Sequence, residues 1–181
     1  MKLDRREILK LAAGAALARP VLGGVADAAA ALPKGRFFDA QELALLDVLS
    51  EAILPADDHS PGARAAGVAA FLDAQLAEKD PKIPDWAEER QAARAHLAAL
   101  DALCREMHGQ GFLEASDEQR NAVLARAAAG EREPKTGAEK AFKWVKEQTA
   151  LGYYTSRIGI HREMEYKGNT VLVEFAGEEP K

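Results

Sequence analysis

Apolar residues recur at helical spacing between breaks marked by proline and glycine, and this pattern most limits the fold of the chain. In the first segment Leu43, Leu46, Leu49 and Ile53 form one apolar face, and Pro55 ends it. The same reasoning predicts helices over residues 40–54, 67–79, 84–107 and 116–129, and from about 136 to 151. The apolar side of the second is predicted to hold Val68, Phe71, Leu72 and Leu76, and the apolar stripe of the third to hold Trp86, Ala93, Leu97, Leu100, Cys104 and Met107. We therefore predict an all-α fold, a compact bundle of about five to six helices.

Capping boxes mark three of the predicted helix starts. The pairs are Asp39 with Glu42, Ser116 with Gln119, and Thr136 with Glu139. Beyond Gly152 the pattern is interrupted, and residues 153–163 are expected to form a further helix or a kinked one. Alternating Val171, Val173 and Phe175 predict a short strand or an extended segment, so an irregular C-terminal arm should complete the fold.

The first 30 residues have the order of a twin-arginine export signal. Arg5 and Arg6 precede a weakly apolar, alanine-rich run over residues 11–18, and small residues follow at 26–30. An amphipathic N-terminal helix is the alternative, and the cleavage site stays open between residues 26–28 and 28–30. The prediction is a cleavable signal peptide over 1–30 and a single helical domain over 31–181. Since the twin-arginine route carries folded proteins, it suits a chain that acquires a cofactor before export or that is exported together with a protein that does.

Charge and cysteine content exclude several classes of function. Residues 31–181 carry a formal net charge of −7, because the first 30 residues contain five basic and three acidic side chains. This balance argues against nucleic-acid binding, which needs a basic face. Cys104 is the single cysteine, so an internal disulfide, a Cys-x-x-Cys-His haem attachment and a cysteine-based cluster are excluded. Two interpretations of Cys104 remain: a small buried apolar residue, or a thiol that cross-links a partner in an oxidising compartment.

Sequence motifs of cofactor binding and catalysis do not occur. The chain contains neither G-x-G-x-x-G nor G-x-x-x-x-G-K-[ST], and neither G-x-S-x-G nor H-E-x-x-H. Asp57, Asp58 and His59 are contiguous and invite a metal interpretation, with turn and capping roles as the alternative. We expect this chain to bind no cofactor or metal of its own and to carry no catalytic residue.

Aromatic residues concentrate in the last quarter of the chain, although they are scarce elsewhere. Trp144, Tyr153, Tyr154 and Tyr166 combine apolar area with a polar tip, as residues at protein interfaces often do. Together with Cys104 they are the candidate partner-contact residues. The alternative is that they belong to the core of the domain.

Several stretches are typical of one family. They are residues 37–42 (FFDAQE), 45–58 (LLDVLSEAILPADD), 61–68 (PGARAAGV), 152–159 (GYYTSRIG), 166–169 (YKGN) and 174–177 (EFAG). On these stretches the chain resembles the gluconate 2-dehydrogenase subunit 3 family, the small non-catalytic subunit of periplasmic, membrane-associated sugar dehydrogenases. The resemblance covers most of 31–181, and none of its motifs encodes chemistry.

The resemblance implies partners and a role. The expected main partner is a flavin-dependent oxidoreductase of the glucose–methanol–choline type, which holds FAD and usually lacks its own export signal. A cytochrome c subunit with haem c often completes such a complex and attaches it to the membrane. The small subunit is then expected to stabilise the large one and escort it through the twin-arginine translocase to the periplasm. A stand-alone periplasmic binding module or chaperone, and a metal-dependent enzyme, are the alternatives.

Overall fold

Five α-helices and one short π-helical segment form the computed structural model, which describes residues 35–166 and residue 168. In chain order they are α1 (Ala40–Ile53), α2 (Val68–Glu78), α3 (Pro84–His108), α4 (Asp117–Ala128), α5 (Gly137–Tyr154) and the π segment (Gly159–Glu163). No strand occurs in these described residues, so the all-α prediction is confirmed for them. The predicted signal peptide lies outside the described residues, as does the C-terminal arm apart from Tyr166 and Gly168.

Nine of the ten helix ends lie within one residue of the predicted ones, because short-range chemistry sets them, whereas α5 continues three residues past the predicted end, to Tyr154. Asp39 accepts hydrogen bonds from the backbone of Gln41 and Glu42, while the Glu42 carboxylate accepts one from the Asp39 N–H. Ser116 and Thr136 cap α4 and α5 in the same way, so all three predicted capping boxes are confirmed. These interactions satisfy N–H groups at the helix starts that have no partner within the helix.

Helix α5 lies at the centre of the bundle, since it packs against each of the other four α-helices. The buried Ala141, Val145 and Thr149 repeat every four residues and form its inner face. Around it, the large side chains that are fully buried include Phe38, Leu46, Leu49, Val68, Leu72, Leu76, Leu97, Leu100, Phe112 and Val123. This core draws on all five helices and on the segments that precede α1 and α4.

Helices α3 and α5 run antiparallel. A Cβ built on Gly137, at the start of α5, would lie 3.7 Å from Ala99 Cβ. Further along α5, the Trp144 ring centroid lies 5.4 Å from that of His96. Residue numbers therefore fall along α3 as they rise along α5, and the N-terminus of α3 lies at the same end of the bundle as the C-terminus of α5.

The predicted apolar stripe of α3 is correct in its middle and wrong at its ends. Ala93, Leu97 and Cys104 are buried, whereas Trp86 and Met107 are exposed. With 25 residues α3 is roughly 37 Å long, against roughly 27 Å for the 18 residues of α5. The ends of α3 consequently extend past the helix that covers its middle.

Candidate partner-docking surface

Of the eight large apolar side chains that are exposed in residues 35–166, seven belong to the C-terminal turn of α5, to the segment after it, to α2 or to the start of α3. Because Phe71 packs beside Gly152 of α5, and because the start of α3 lies at the same end of the bundle as the C-terminus of α5, these seven lie towards one end. We call this surface the apolar end and define it as Phe71, Ile83, Trp86, Leu151, Tyr154, Met164 and Tyr166. Each of these side chains is between 40% and 51% exposed. The eighth, Met107, lies at the opposite end, near the C-terminus of α3 and the start of α5.

Part of the apolar end lies where α2 packs against the C-terminal part of α5. A Cβ on Gly152 would lie 3.1 Å from Phe71 Cδ1 and 3.2 Å from Val68 Cγ1, so the absence of a side chain lets the two helices approach closely. Leu151 directly precedes this glycine. Tyr154, three residues after Leu151, shares its side of the helix. Exposed apolar groups from two helices are thereby brought together.

The π segment brings Met164 and Tyr166 to the same end. Gly159 lies against the backbone of Tyr153, and a Cβ there would collide with the Tyr153 carbonyl oxygen. The Met164 N–H donates to Gly159 O at 2.9 Å, and the Tyr166 N–H donates to Ile160 O at 3.0 Å. These bonds hold the segment after α5 against the end of that helix.

Two arginines border the apolar end. Arg157 and Arg162 line a cavity together with His161, Ala65 and Ala66. Within the described part of the chain, no carboxylate lies within 4.0 Å of the Arg157 or Arg162 guanidinium. The surface thus combines apolar area with cationic groups, and both favour contact with another macromolecule.

The five predicted partner-contact residues occupy different environments. Tyr154 and Tyr166 are exposed at the apolar end, and Trp144 is half-buried beside His96. Cys104 and Tyr153 are buried in this chain, which agrees with the core alternative for these two residues, and their contact with a partner stays a prediction. Neither side chain reaches the surface, because Cys104 faces the middle of the bundle and Tyr153 is hydrogen-bonded beneath the loop between α1 and α2.

The loop that holds Asp57 and His59 forms a turn. Asp57 Oδ1 accepts hydrogen bonds from the backbone of Ser60 at 2.7 Å and of His59 at 2.9 Å. These bonds lower the pKa of Asp57, that from Ser60 contributing most. His59 Nε2 lies 3.4 Å from the carbonyl oxygen of Glu163. The Asp57 carboxylate therefore has the turn role that was the alternative to a metal role.

Two findings concern other kinds of site in the described residues. Among residues 35–166, no three His, Cys, Asp or Glu side chains come close enough together to share a metal ion. None of the described helices combines the length and apolar character needed to cross a bilayer.

Comparison with known proteins decides the family. The family model described as gluconate 2-dehydrogenase subunit 3 matches residues 40–170, which is more than half of the chain. The chain belongs to the gluconate 2-dehydrogenase subunit 3 family. Neither a curated protein nor a solved structure gives a significant match. The family description names one subunit of a gluconate dehydrogenase, consistent with an accessory subunit of a multi-subunit complex.

Sequence reasoning missed most of the surface that this subunit 3 protein exposes. Phe71 was expected on the apolar side of α2, yet it is 40% exposed, while Val68 and Leu72 on the same helix are buried. Ile83 and Trp86 are exposed where α3 begins. The length of α3 was the available signal, since a helix much longer than its neighbours leaves its ends uncovered.

Proposed function

We propose that this chain is the non-catalytic small subunit of a periplasmic, FAD-dependent dehydrogenase complex of the glucose–methanol–choline type. In this role it stabilises the flavin subunit and escorts it through twin-arginine export. A cytochrome c subunit that carries haem c is the third member and attaches the complex to the membrane. The family match over residues 40–170 carries the proposal.

Two features of the sequence support the escort role. Arg5 and Arg6 stand ahead of an alanine-rich run, in the order of a signal for folded cargo. The chain has none of the glycine-rich phosphate-binding motifs of nucleotide and flavin sites. A signal for folded cargo on a chain without such motifs makes sense if the cofactor belongs to a passenger.

The test is co-expression with the presumed flavin subunit, followed by separation of periplasm and cytoplasm. With the unaltered chain, we expect folded flavin subunit and its dehydrogenase activity in the periplasm. With Arg5→Lys and Arg6→Lys together, we expect both to stay in the cytoplasm. Arg19→Lys is the matched control, because it makes the same exchange outside the arginine pair and should leave export unchanged.

Normal periplasmic levels of flavin subunit alongside the doubly substituted chain would refute the escort role. A stand-alone binding module or chaperone makes a different prediction. In that case, omitting this chain altogether would leave the amount, FAD content and location of the flavin subunit unchanged. A metal-dependent enzyme would show turnover by the purified chain that a chelator abolishes.

A further inference from the structure

We infer that the apolar end is the surface on which the flavin subunit docks, and that the matching face of that subunit is an apolar patch bordered by carboxylates. This inference rests on the proposed function and adds to it the location of the contact. It draws on the size of the surface, its charge, and its position within the family match.

The size of the apolar end fits a protein partner. Its seven side chains are each 40–51% exposed. Since aromatic side chains bury roughly 150–250 Å² apiece, the four aromatic members expose roughly 350 Å² and all seven on the order of 500 Å². That total lies within the roughly 300–600 Å² of the largest exposed patch on a typical monomer, a patch that often has a function, and it is more than half of the ~800 Å² that each partner buries in a standard interface. The polar border of such an interface would supply the remainder.

The charge at the border indicates the chemistry of the partner. Arg157 and Arg162 line the cavity beside the apolar end, and neither has a carboxylate partner in the described residues. A protein with carboxylates at the matching positions would pair with both arginines, and complementary charges across an interface favour the correct orientation.

The segment that follows α5 adds little to the core. Between Tyr154 and Tyr166, Gly159 alone among these described residues is buried. The family match nevertheless runs through this segment to residue 170. A segment that buries few of its side chains, yet belongs to the matched domain, suits contact with another subunit better than a role in stabilising this one.

The experiment compares two ends of one bundle. One variant carries Phe71→Gln, Leu151→Gln and Tyr154→Gln, and its matched control is Met107→Gln, which removes a comparably exposed apolar side chain at the opposite end. Circular dichroism and thermal unfolding establish that each variant is folded. Affinity for the purified flavin subunit is then measured by titration.

We expect the triple variant to bind the flavin subunit roughly tenfold or more weakly, whereas Met107→Gln should bind as the unaltered chain does. A second variant, with Arg157→Glu and Arg162→Glu, should also weaken binding and should make it less sensitive to added salt.

The remaining outcomes distinguish a wrong location, a wrong occupant and a wrong proposed function. Undiminished binding by the triple variant, or weakening by Met107→Gln alone, would overturn the location and leave the proposed function standing. If the unaltered chain forms a dimer that the triple variant loses, and flavin-subunit binding persists, the occupant is a second copy and the inference is wrong. If the unaltered chain does not bind the flavin subunit at all, the proposed function itself fails.

Discussion

Tyr153 Oη lies 2.5 Å from Ser60 Oγ and 2.8 Å from the carbonyl oxygen of Pro61. A tyrosine hydroxyl has one proton, so it donates to the Pro61 carbonyl and accepts from Ser60. The pair connects the C-terminal turn of α5 to the loop between α1 and α2, with both Ser60 and Tyr153 buried. Tyrosine is common at protein interfaces, but the Tyr153 hydroxyl makes hydrogen bonds within this chain.

Replacing Tyr153 by phenylalanine should lower the free energy of unfolding by about 1–3 kcal/mol, because it leaves the buried Ser60 hydroxyl and Pro61 carbonyl without their partner. Urea unfolding followed by circular dichroism measures the change. Tyr154→Phe is the matched control: Tyr154 is 40% exposed, so its free energy of unfolding should stay within about 0.5 kcal/mol of the unaltered chain. An unchanged stability for Tyr153→Phe would contradict the assignment.

The sequence predicted the helix ends, but it did not predict which aromatic side chains are buried. Asp39, Ser116 and Thr136 cap helices through atoms only two or three residues away, so their roles are visible in the sequence. The burial of Tyr153 depends on Ser60, 93 positions earlier in the chain. The spacing of apolar residues within α5 does not show this distant contact. For this reason the sequence did not distinguish the buried Tyr153 from the exposed Tyr154.

Asp73 fixes the segment that enters α1. Its carboxylate accepts hydrogen bonds from three successive backbone N–H groups, those of Arg36 at 2.6 Å, Phe38 at 2.8 Å and Phe37 at 3.0 Å. Asp73 is buried on α2, and Phe38 is buried in the core. One charged side chain therefore positions residues 36–38 and satisfies three donors at once.

Asp73→Asn should lower the free energy of unfolding by about 2–3 kcal/mol, because an amide offers one acceptor oxygen and turns its own NH₂ group towards a donor. Chemical denaturation gives the value. Glu78→Gln on the same helix is the control, since its ion pair with Arg36 is largely exposed and should contribute less than about 1 kcal/mol. Equal effects of the two substitutions would show that the three hydrogen bonds are not decisive.

Cys104 should react slowly in the folded protein. Burial raises the pKa of its thiol, and the neighbouring Asp101 carboxylate raises it further, so little thiolate is present and little of it is accessible. We expect labelling by a thiol reagent to be roughly tenfold or more slower in the native chain than in denaturant. Ala102→Cys adds an exposed thiol on the same helix, and this second thiol should label quickly under native conditions.

Non-reducing electrophoresis of the complex tests the other interpretation of Cys104. A buried thiol predicts no reducible band that joins this chain to a partner. Such a band, or rapid native labelling of Cys104 itself, would mean that the helix opens or that the core assignment is wrong.

The exposed ends of α3 show a second limit of sequence reasoning. Trp86 and Leu97 belong to the same apolar stripe, but only Leu97 is buried. The stripe gives the side of the helix on which a side chain lies, whereas burial also requires another helix at the same level along the bundle axis. The lengths of neighbouring helices and their antiparallel order decide this, and they become known only once the bundle is assembled.

His96 should make the folded protein less stable in mild acid. Its ring lies 5.4 Å from that of Trp144, and the pKa of the imidazole lies below its ordinary value of 6.5, mainly because of burial and secondly because of Lys140. At a pH near or below 6.5 the unfolded chain takes up a proton more readily than the folded one, so lowering the pH favours unfolding. This loss should begin as the pH falls through about 6.5 and be complete below the folded-state pKa.

The measurement is the free energy of unfolding from urea titrations at about pH 7.5 and about pH 5.5. His96→Phe keeps an aromatic ring against Trp144 and removes the titrating group, so it should lose less stability between these two values than the unaltered chain. His161→Gln removes an exposed histidine and leaves His96 in place, so it should keep the original pH dependence. If His96→Phe and the unaltered chain lose stability equally, the acid sensitivity comes from other groups, and His96 accepts its proton in the folded state as easily as in the unfolded one.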